Sequence, residues 1–503
     1  MLKIRALLKS KGFMYVLIAL FSLLLACLSS EYDFDLYARL IVGEHFFKTG
    51  WIAYEDFLSY TPTHLWYDHE WGSSLVFYAF LKLFGNFGLI LVQAITIFFT
   101  TFFVIKTQQL QKHAYPTSLA FIVGFMCLYF HQNPSIVRCH MFSFMLFSML
   151  LYFLEKTRLQ KSNILWLMPP IVILWNNLHG GVVSGLGMIF IYMIGEMISR
   201  KPWLKYFGVL AVSTPLLVIN PYGADYLNFL VSANTKNREY ITEWWGIFVQ
   251  RHVLYYYPIF IPIVFTVITA VANIFAKKRW NITKTLALIT TAALGMIHIK
   301  LFSLGLITAA ALFYNELISL ISKNGLRFLN KAAYICLSLA LLYLPFTKPT
   351  VARTSLVKFP VQEVEFLKQN KIAGNLITAF GLGSYTSYKL YPQNLIYMDG
   401  RYEEVYYDRE FDCLVDYEKA ETPLWLIALT HYPTEILMPE KVMPVYKKLK
   451  AADSEWEEVY SGNVCGVFLP KKRTKFKGPF IMPANDLKYY QEREFENLGS
   501  FGK

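Results

Sequence analysis

Two aspartates, Asp33 and Asp35, follow an apolar run that ends at Leu28, within the stretch SSEYDFDLYARL. A carboxylate at the edge of a bilayer needs water, a partner or a task. At a spacing of two, both side chains point to the same side of an extended backbone. There they would share a divalent ion of the Mg2+ or Mn2+ class, with Asp35 as its ligand, or divide into a base and an orienting group. The same loop carries a further His-Glu pair, His69 and Glu70, able to join Asp35 on a metal or to orient a polar substrate.

Cationic and amide groups recur at the ends of later apolar runs. Arg138 follows HQNPSIV, and its charge either binds an anion or snorkels to the interface. Asn176, Asn177 and His179 close the run LWNNLH, where lipid would penalise them, so they face a cavity or bond between helices. His298 and Lys300 stand between two apolar runs, again as anion ligands or as snorkelling charges. Glu243 reads as interfacial beside Trp244 and Trp245. Far downstream, Asp399 and Arg401 follow a strand-like run, either as a functional loop or as an internal pair that braces it.

These groups need a scaffold, and composition says which. The 503 residues are 55% hydrophobic and only 17% charged, well below the usual quarter for a soluble protein. With a mean hydropathy of +0.36, that describes a polytopic membrane protein. The net charge of +13 lies in short loops between apolar runs, which argues for membrane orientation and against nucleic acid as a partner.

Between residues 12 and 346 the apolar runs make about eleven spans. Lys3, Arg5, Lys9 and Lys11 precede the first, which reads as a spanning helix rather than a cleaved leader. Alternate loops are basic: Lys106 and Lys112; Lys156, Arg158 and Lys161; Arg200, Lys201 and Lys205; Lys277, Lys278, Arg279 and Lys284; Lys323, Arg327 and Lys331. The positive-inside rule puts those loops and the N-terminus in the cytoplasm, and the first long loop (30–83) and the C-terminal part outside. The expected segments are a membrane part (1–346), an extracytoplasmic α/β domain (347–470) and a basic tail (471–503). In the α/β part, GNLITAF, NLIYMDG, TEILMPE and NVCGVFLP read as strands, and 360–369, 383–389 and 442–449 as helices. ARLIVGEHFFKTG in the first loop reads as an amphipathic helix lying in the interface. Cys413 and Cys465 share the outer part, either paired or as separate thiols.

The first loop resembles that of the GT-C superfamily of membrane glycosyltransferases. More closely, it resembles a bacterial branch without an assigned activity, whose loop runs D-x-D-x-W-W-H-L…G…G…D-x-F-S-x-T…W…H-E-W-L. Asp33, Asp35, Leu40, Gly43, Gly50, Asp56, Ser59, Thr61, Trp66, His69, Glu70 and Trp71 stand at the matching places. Tyr37, Ala38 and Arg39 replace the pattern's Trp, Trp and His, and Gly72 its Leu. Later stretches, VRCHMFSF, LWNNLHGG, INPYG with ITEWW, and DGRYEEVYY, continue the likeness over most of the chain.

The resemblance implies a GT-C membrane fold in a bacterial cytoplasmic membrane. It implies transfer of a sugar from a polyprenyl-phosphate donor to a lipid, glycan or protein acceptor at the outer face, with Asp33 as general base. Arg39, at the altered position, would meet a phosphate, and Arg138, His298 and Lys300 would receive the leaving phosphate. A lipid-linked-sugar transporter would also need polar groups within its spans, but no acid pair at the lipid surface. A non-catalytic membrane scaffold is the third reading.

Overall fold

The computed structural model describes residues 11–28, 32–111, 116–132, 136–235, 238, 241–249, 253–275, 281–343, 354 and 356–473. Lys3, Arg5, Lys9, Lys112, Lys277, Lys278, Arg279 and the tail from 474 lie outside these residues. The chain divides into two units, Met1–Ser30 with Leu89–Val351, and Glu31–Gly88 with Ala352–Lys503.

The described elements of the first unit are all helical. Among the described residues, three helices are long and apolar enough to cross a membrane: Asn86–Gln109, Tyr255–Ala272 and Lys323–Tyr343. Shorter apolar helices, among them Gly12–Leu28, Leu119–His131 and Val182–Ile198, fall where the sequence places other spans. Ile282–Ile297 starts at Asn281, whose side chain accepts from the Lys284 N–H and so satisfies one free helix donor. It packs on Val182–Ile198 and on Phe302–Leu312. Every residue of Phe302–Leu312 is buried, as in a helix surrounded on all sides.

The second unit joins the first loop to the C-terminal residues, whereas apolar runs alone attach that loop to the helical part. Its sheet has the order β1-β2-β4-β3, from Leu376–Thr378 (β1), Ile436–Met438 (β2), Trp456–Ser461 (β3) and Gly466–Pro470 (β4). β1 and β2 are parallel, with Leu376 opposite Ile436, so a crossover must join them. β3 and β4 are antiparallel. Two strand expectations change. NLIYMDG is not a strand of this sheet; it contributes only isolated bridges, from Ile396 to Ser59 and to Leu376. β3 goes unread in the sequence because Glu457 and Glu458 interrupt its apolar pattern on a half-exposed edge. Cys413 and Cys465 are separate buried thiols.

The expected interfacial helix is a helix, Leu36–Thr49, but not an interfacial one. All its residues from Leu36 to Glu44 are buried inside the protein. It lies against Trp71–Phe84, where a Cβ on Gly43 would come within 2.5 Å of Ser74 O and Tyr78 Cβ. Tyr37 packs among Phe359, Tyr385 and Tyr388 of the C-terminal residues, at ring-centroid distances of 5.4, 4.9 and 5.8 Å. Beyond the helix, residues 58–67 run along 396–405. Ile396 N–H donates to Leu58 O (2.9 Å), Tyr60 N–H to Ile396 O (3.1 Å), His64 N–H to Val405 O (2.9 Å) and Tyr67 N–H to Glu404 O (3.2 Å).

Candidate functional site

In the second unit, Asp33 and Asp35 lie in a turn that leads into Leu36–Thr49, not on extended backbone. Asp35 is the residue before the helix and has helical angles (φ −73°, ψ −21°). The two acids therefore do not project as an alternating pair. Asp33 is 8% exposed. The Asp35 carboxylate lies close to Gly400: a Cβ there would be 2.5 Å from its Oδ1, so a side chain at 400 would displace the carboxylate. The D-x-D turn and the Asp-Gly-Arg loop thus meet within one unit.

The same unit holds two ionic clusters joined by Trp66. In the first, the buried Arg39 donates to Asp68 Oδ1 (2.5 Å) and to Glu404 Oε2 (3.1 Å), and its Nε lies 3.6 Å from Glu70 Oε2. His69 places Nδ1 3.0 Å from Glu404 Oε1 and Nε2 3.7 Å from Glu70 Oε1. The Trp66 indole N–H donates to Glu404 Oε2 (3.0 Å). In the second cluster, Arg401 lies over the Trp66 ring, 4.6 Å from its centroid. Its Nε donates to Asp399 (2.8 and 3.0 Å), Nη1 to Asp56 (2.5 Å) and Nη2 to Tyr406 (3.0 Å). Ser59 bonds Tyr406 Oη (2.6 Å), and Thr61 donates to Tyr397 O (2.6 Å). Asp56, Ser59 and Trp66 of the loop pattern therefore fasten the loop to the DGRYEEVYY stretch, and Thr61 fastens it to Tyr397 just before.

Charge states follow from these contacts. Burial works against the Glu404 charge, but Arg39 and His69 outweigh it and hold the carboxyl well below its ordinary range. Burial pushes Asp68 the other way, aided by the neighbouring Glu404 charge, despite Arg39. Burial also opposes the His69 cation, yet Glu70 and Glu404 push that imidazole up to about 9. Asp56 stays below the ordinary carboxylate range because Arg401 outweighs its burial.

One acid outside these clusters carries a test of its own. Glu418 accepts the Phe380 N–H (3.0 Å), and burial, with Glu440 adding repulsion, pushes it from 4.5 to about 7. A carboxyl raised on folding contributes fully below its unfolded value and loses that contribution as pH rises through its folded value. Glu418→Gln is therefore expected to raise the melting temperature at pH 8 and to leave it unchanged at pH 4.5. The gain at pH 8 should be about 2 kcal/mol after allowance for solvent screening. Thermal unfolding of the two proteins at both pH values checks it.

In the first unit, the sequence-selected cations come together. Arg138, His179, Glu243 and Lys300 all lie within electrostatic reach of His140. Arg138 Nη1 donates to Glu243 Oε2 (2.6 Å) and is 24% exposed. Lys300 Nζ sits 3.5 Å from the centroid of the Trp244 ring, and the Arg238 guanidinium 4.0 Å from it. His298 Nδ1 bonds Trp244 O (2.8 Å). Burial opposes the Glu243 charge, but Arg138 and Lys300 draw its carboxyl down to about 2. Trp244 is thus a cation platform, and Glu243 the acid at its centre.

His179 Nδ1 accepts the Gly181 N–H (2.9 Å), which leaves Nε2 as the protonated nitrogen. Ser143 Oγ also meets that Nδ1 (2.8 Å) and accepts from Trp175 (2.7 Å). Asn176 donates to Leu217 O (3.0 Å), and Asn177 to Ile173 O (2.8 Å) and Ile219 O (2.9 Å). Both amides tie one helix to the segment beside it.

No protein-family model matches this chain, and no curated protein does. Solved structures do. ArnT from Cupriavidus metallidurans, bound to undecaprenyl phosphate, superposes with a TM-score of 0.52 at 11% identity, over 93% of this chain and 99% of that one. The archaeal oligosaccharyltransferase AglB from Archaeoglobus fulgidus, in complex with an inhibitory peptide and a dolichol-phosphate, gives 0.55 at 10% identity, over 86% of this chain and 70% of AglB. The apo form of the same ArnT gives 0.50 at 14% identity, over 90% and 97%.

The chain has the fold that ArnT and AglB share. Chemistry on a shared fold belongs to the residues, not the scaffold. Arg39 does not have the free guanidinium that a phosphate would need, because carboxylates enclose it. Asp399 and Arg401 are fully buried against each other and Asp56. Asp35 is outside the metal-capable set found among the described residues, which is His69, Glu70 and Glu404. Reading the sequence misses Glu404, Asp68 and Arg238 as members of these clusters. Glu404 lies within the quoted DGRYEEVYY, and Asp68 directly precedes His69 and Glu70, so both were within sight of motifs. Arg238 had no local signal.

Proposed function

We propose that this protein is an integral-membrane glycosyltransferase that moves a sugar from a polyprenyl-phosphate carrier to an acceptor at the outer face of the membrane. The observation that supports this reading best is the GT-C fold over nearly the whole chain, shared with ArnT holding undecaprenyl phosphate. Asp33 takes the proton from the acceptor hydroxyl as that oxygen attacks the anomeric carbon. The bond from that carbon to the phosphate oxygen breaks, and the phosphate leaves with its lipid. Asp35 orients the sugar. Taken by itself, the first unit offers Arg138 and Lys300, with His298 and His179, as the cations suited to a phosphate. Asp399 and Arg401 brace the Asp35 turn through Gly400 rather than touching the sugar.

The purified chain, given a polyprenyl-phosphate-linked sugar and membrane extract, is expected to release free polyprenyl phosphate and yield a glycosylated product. The acceptor is to be found by mass spectrometry of the glycolipids that change when the protein is removed. Arg138→Ala should raise the KM for the donor about tenfold or more, since it removes a charge-assisted phosphate contact. Movement of lipid-linked sugar across liposomes with no transfer would replace this reading with a transporter.

A further inference from the structure

The Arg39 cluster sets three carboxylates, Asp68, Glu70 and Glu404, around Arg39, with His69 against two of them. The glutamates divide their oxygens in the same way. Each gives Oε2 to Arg39 and turns Oε1 toward His69. One imidazole nitrogen and one oxygen from each glutamate lie within 4.8 Å of one another. A tetrahedral ion with ligands at 2.0–2.2 Å needs edges of about 3.4 Å, so the donor atoms must draw together by up to about 1.4 Å to complete the set. His69 and Glu70 are 19% and 17% exposed, so an ion can reach them from solvent.

We propose that His69, Glu70 and Glu404 bind a divalent transition-metal ion of the Zn2+ or Mn2+ class, which clasps the first loop to the DGRYEEVYY stretch. An imidazole with two carboxylates suits such an ion, whereas Mg2+ keeps its water and prefers oxygen alone. Arg39 is the outer support: by holding Oε2 of both glutamates it aims their Oε1 atoms, as the hydrogen-bond partners of metal ligands do. Asp35 takes no part. The inference rests on this donor geometry and not on the transfer reading, because ion binding is read without a sugar substrate.

The test uses the full chain in detergent, stripped with EDTA, dialysed and titrated with MnCl2 while free Mn2+ is followed by electron paramagnetic resonance. The wild type is expected to take up a single Mn2+, which ZnCl2 displaces. Pulsed spectra of the bound ion should show coupling to an imidazole nitrogen. His69→Gln and Glu70→Gln should each weaken binding about tenfold or more, while Glu418→Gln binds as wild type does. Glu70→Asp, which keeps a carboxylate, should recover part of the affinity. No stoichiometric uptake, a bound ion without nitrogen coupling, or His69→Gln binding like the wild type would each overturn the proposal. The nitrogen coupling needs no variant, so it decides even where a substitution prevents folding.

Discussion

Asp33→Asn is expected to lower sugar transfer about a hundred- to ten-thousand-fold, the usual worth of a positioned general base. The substitution keeps the shape of a side chain that is only 8% exposed. It also leaves the main-chain bond from Leu36 N–H to Asp33 O (3.3 Å) in place, so the helix start survives. The loss should fall on kcat, with the KM for the lipid donor little changed, because the base acts in the transition state. Asp35→Asn should cost less, since an amide can still orient a sugar hydroxyl. Single-turnover transfer from a radiolabelled donor measures both. Full activity in the Asp33 variant would remove the base assignment and leave the fold likeness without a mechanism.

Arg401→Met is expected to destabilise the second unit by about 3–5 kcal/mol, enough to remove most of its margin. Arg401, Asp56 and Asp399 have no side-chain exposure, and the guanidinium is the cation between the two acids. Its removal leaves two buried carboxylates with their counter-charge gone. Arg401→Lys should not rescue it, because an ammonium cannot reach Asp399, Asp56 and Tyr406 from one plane. Asp56→Asn combined with Arg401→Met should cost less than the separate losses added together, since one stranded charge is neutralised. Limited proteolysis and thermal unfolding read the effect. Transfer activity alone would not, because an unfolded second unit also loses Asp33.

The two expectations separate neighbouring acids that look alike in the sequence. Asp33, Asp35 and Asp56 are all loop aspartates near aromatic residues. Asp56 lies against Arg401, which stands 345 positions away, and it is a brace. Asp35 packs on Gly400, and Asp33 accepts the Leu36 N–H with its main-chain oxygen just ahead of the helix. The same holds for Arg39. Its place in the D-x-D pattern suggests a phosphate contact, yet Glu404, 365 positions away, takes its guanidinium. The first-unit cations were more legible. Arg138, His179, His298 and Lys300 each interrupt an apolar run, and a polar group at the end of such a run has few places to go.

By itself the sequence determined the class of the molecule. Runs of apolar residues, basic loops and the change to short strand-like segments after residue 346 are local patterns, and local patterns are enough to specify helices and a membrane solvent. It also picked out most of the groups at stake, though not Glu404 or Arg238. Only the tertiary structure decided that Arg39, Asp56 and Arg401 are held in buried ionic clusters. The reason is physical: burial and counter-charge set the state of an ionisable group, and both are supplied by residues hundreds of positions away. A carboxylate's neighbours in the chain say where it begins, and its neighbours in space say what it can do.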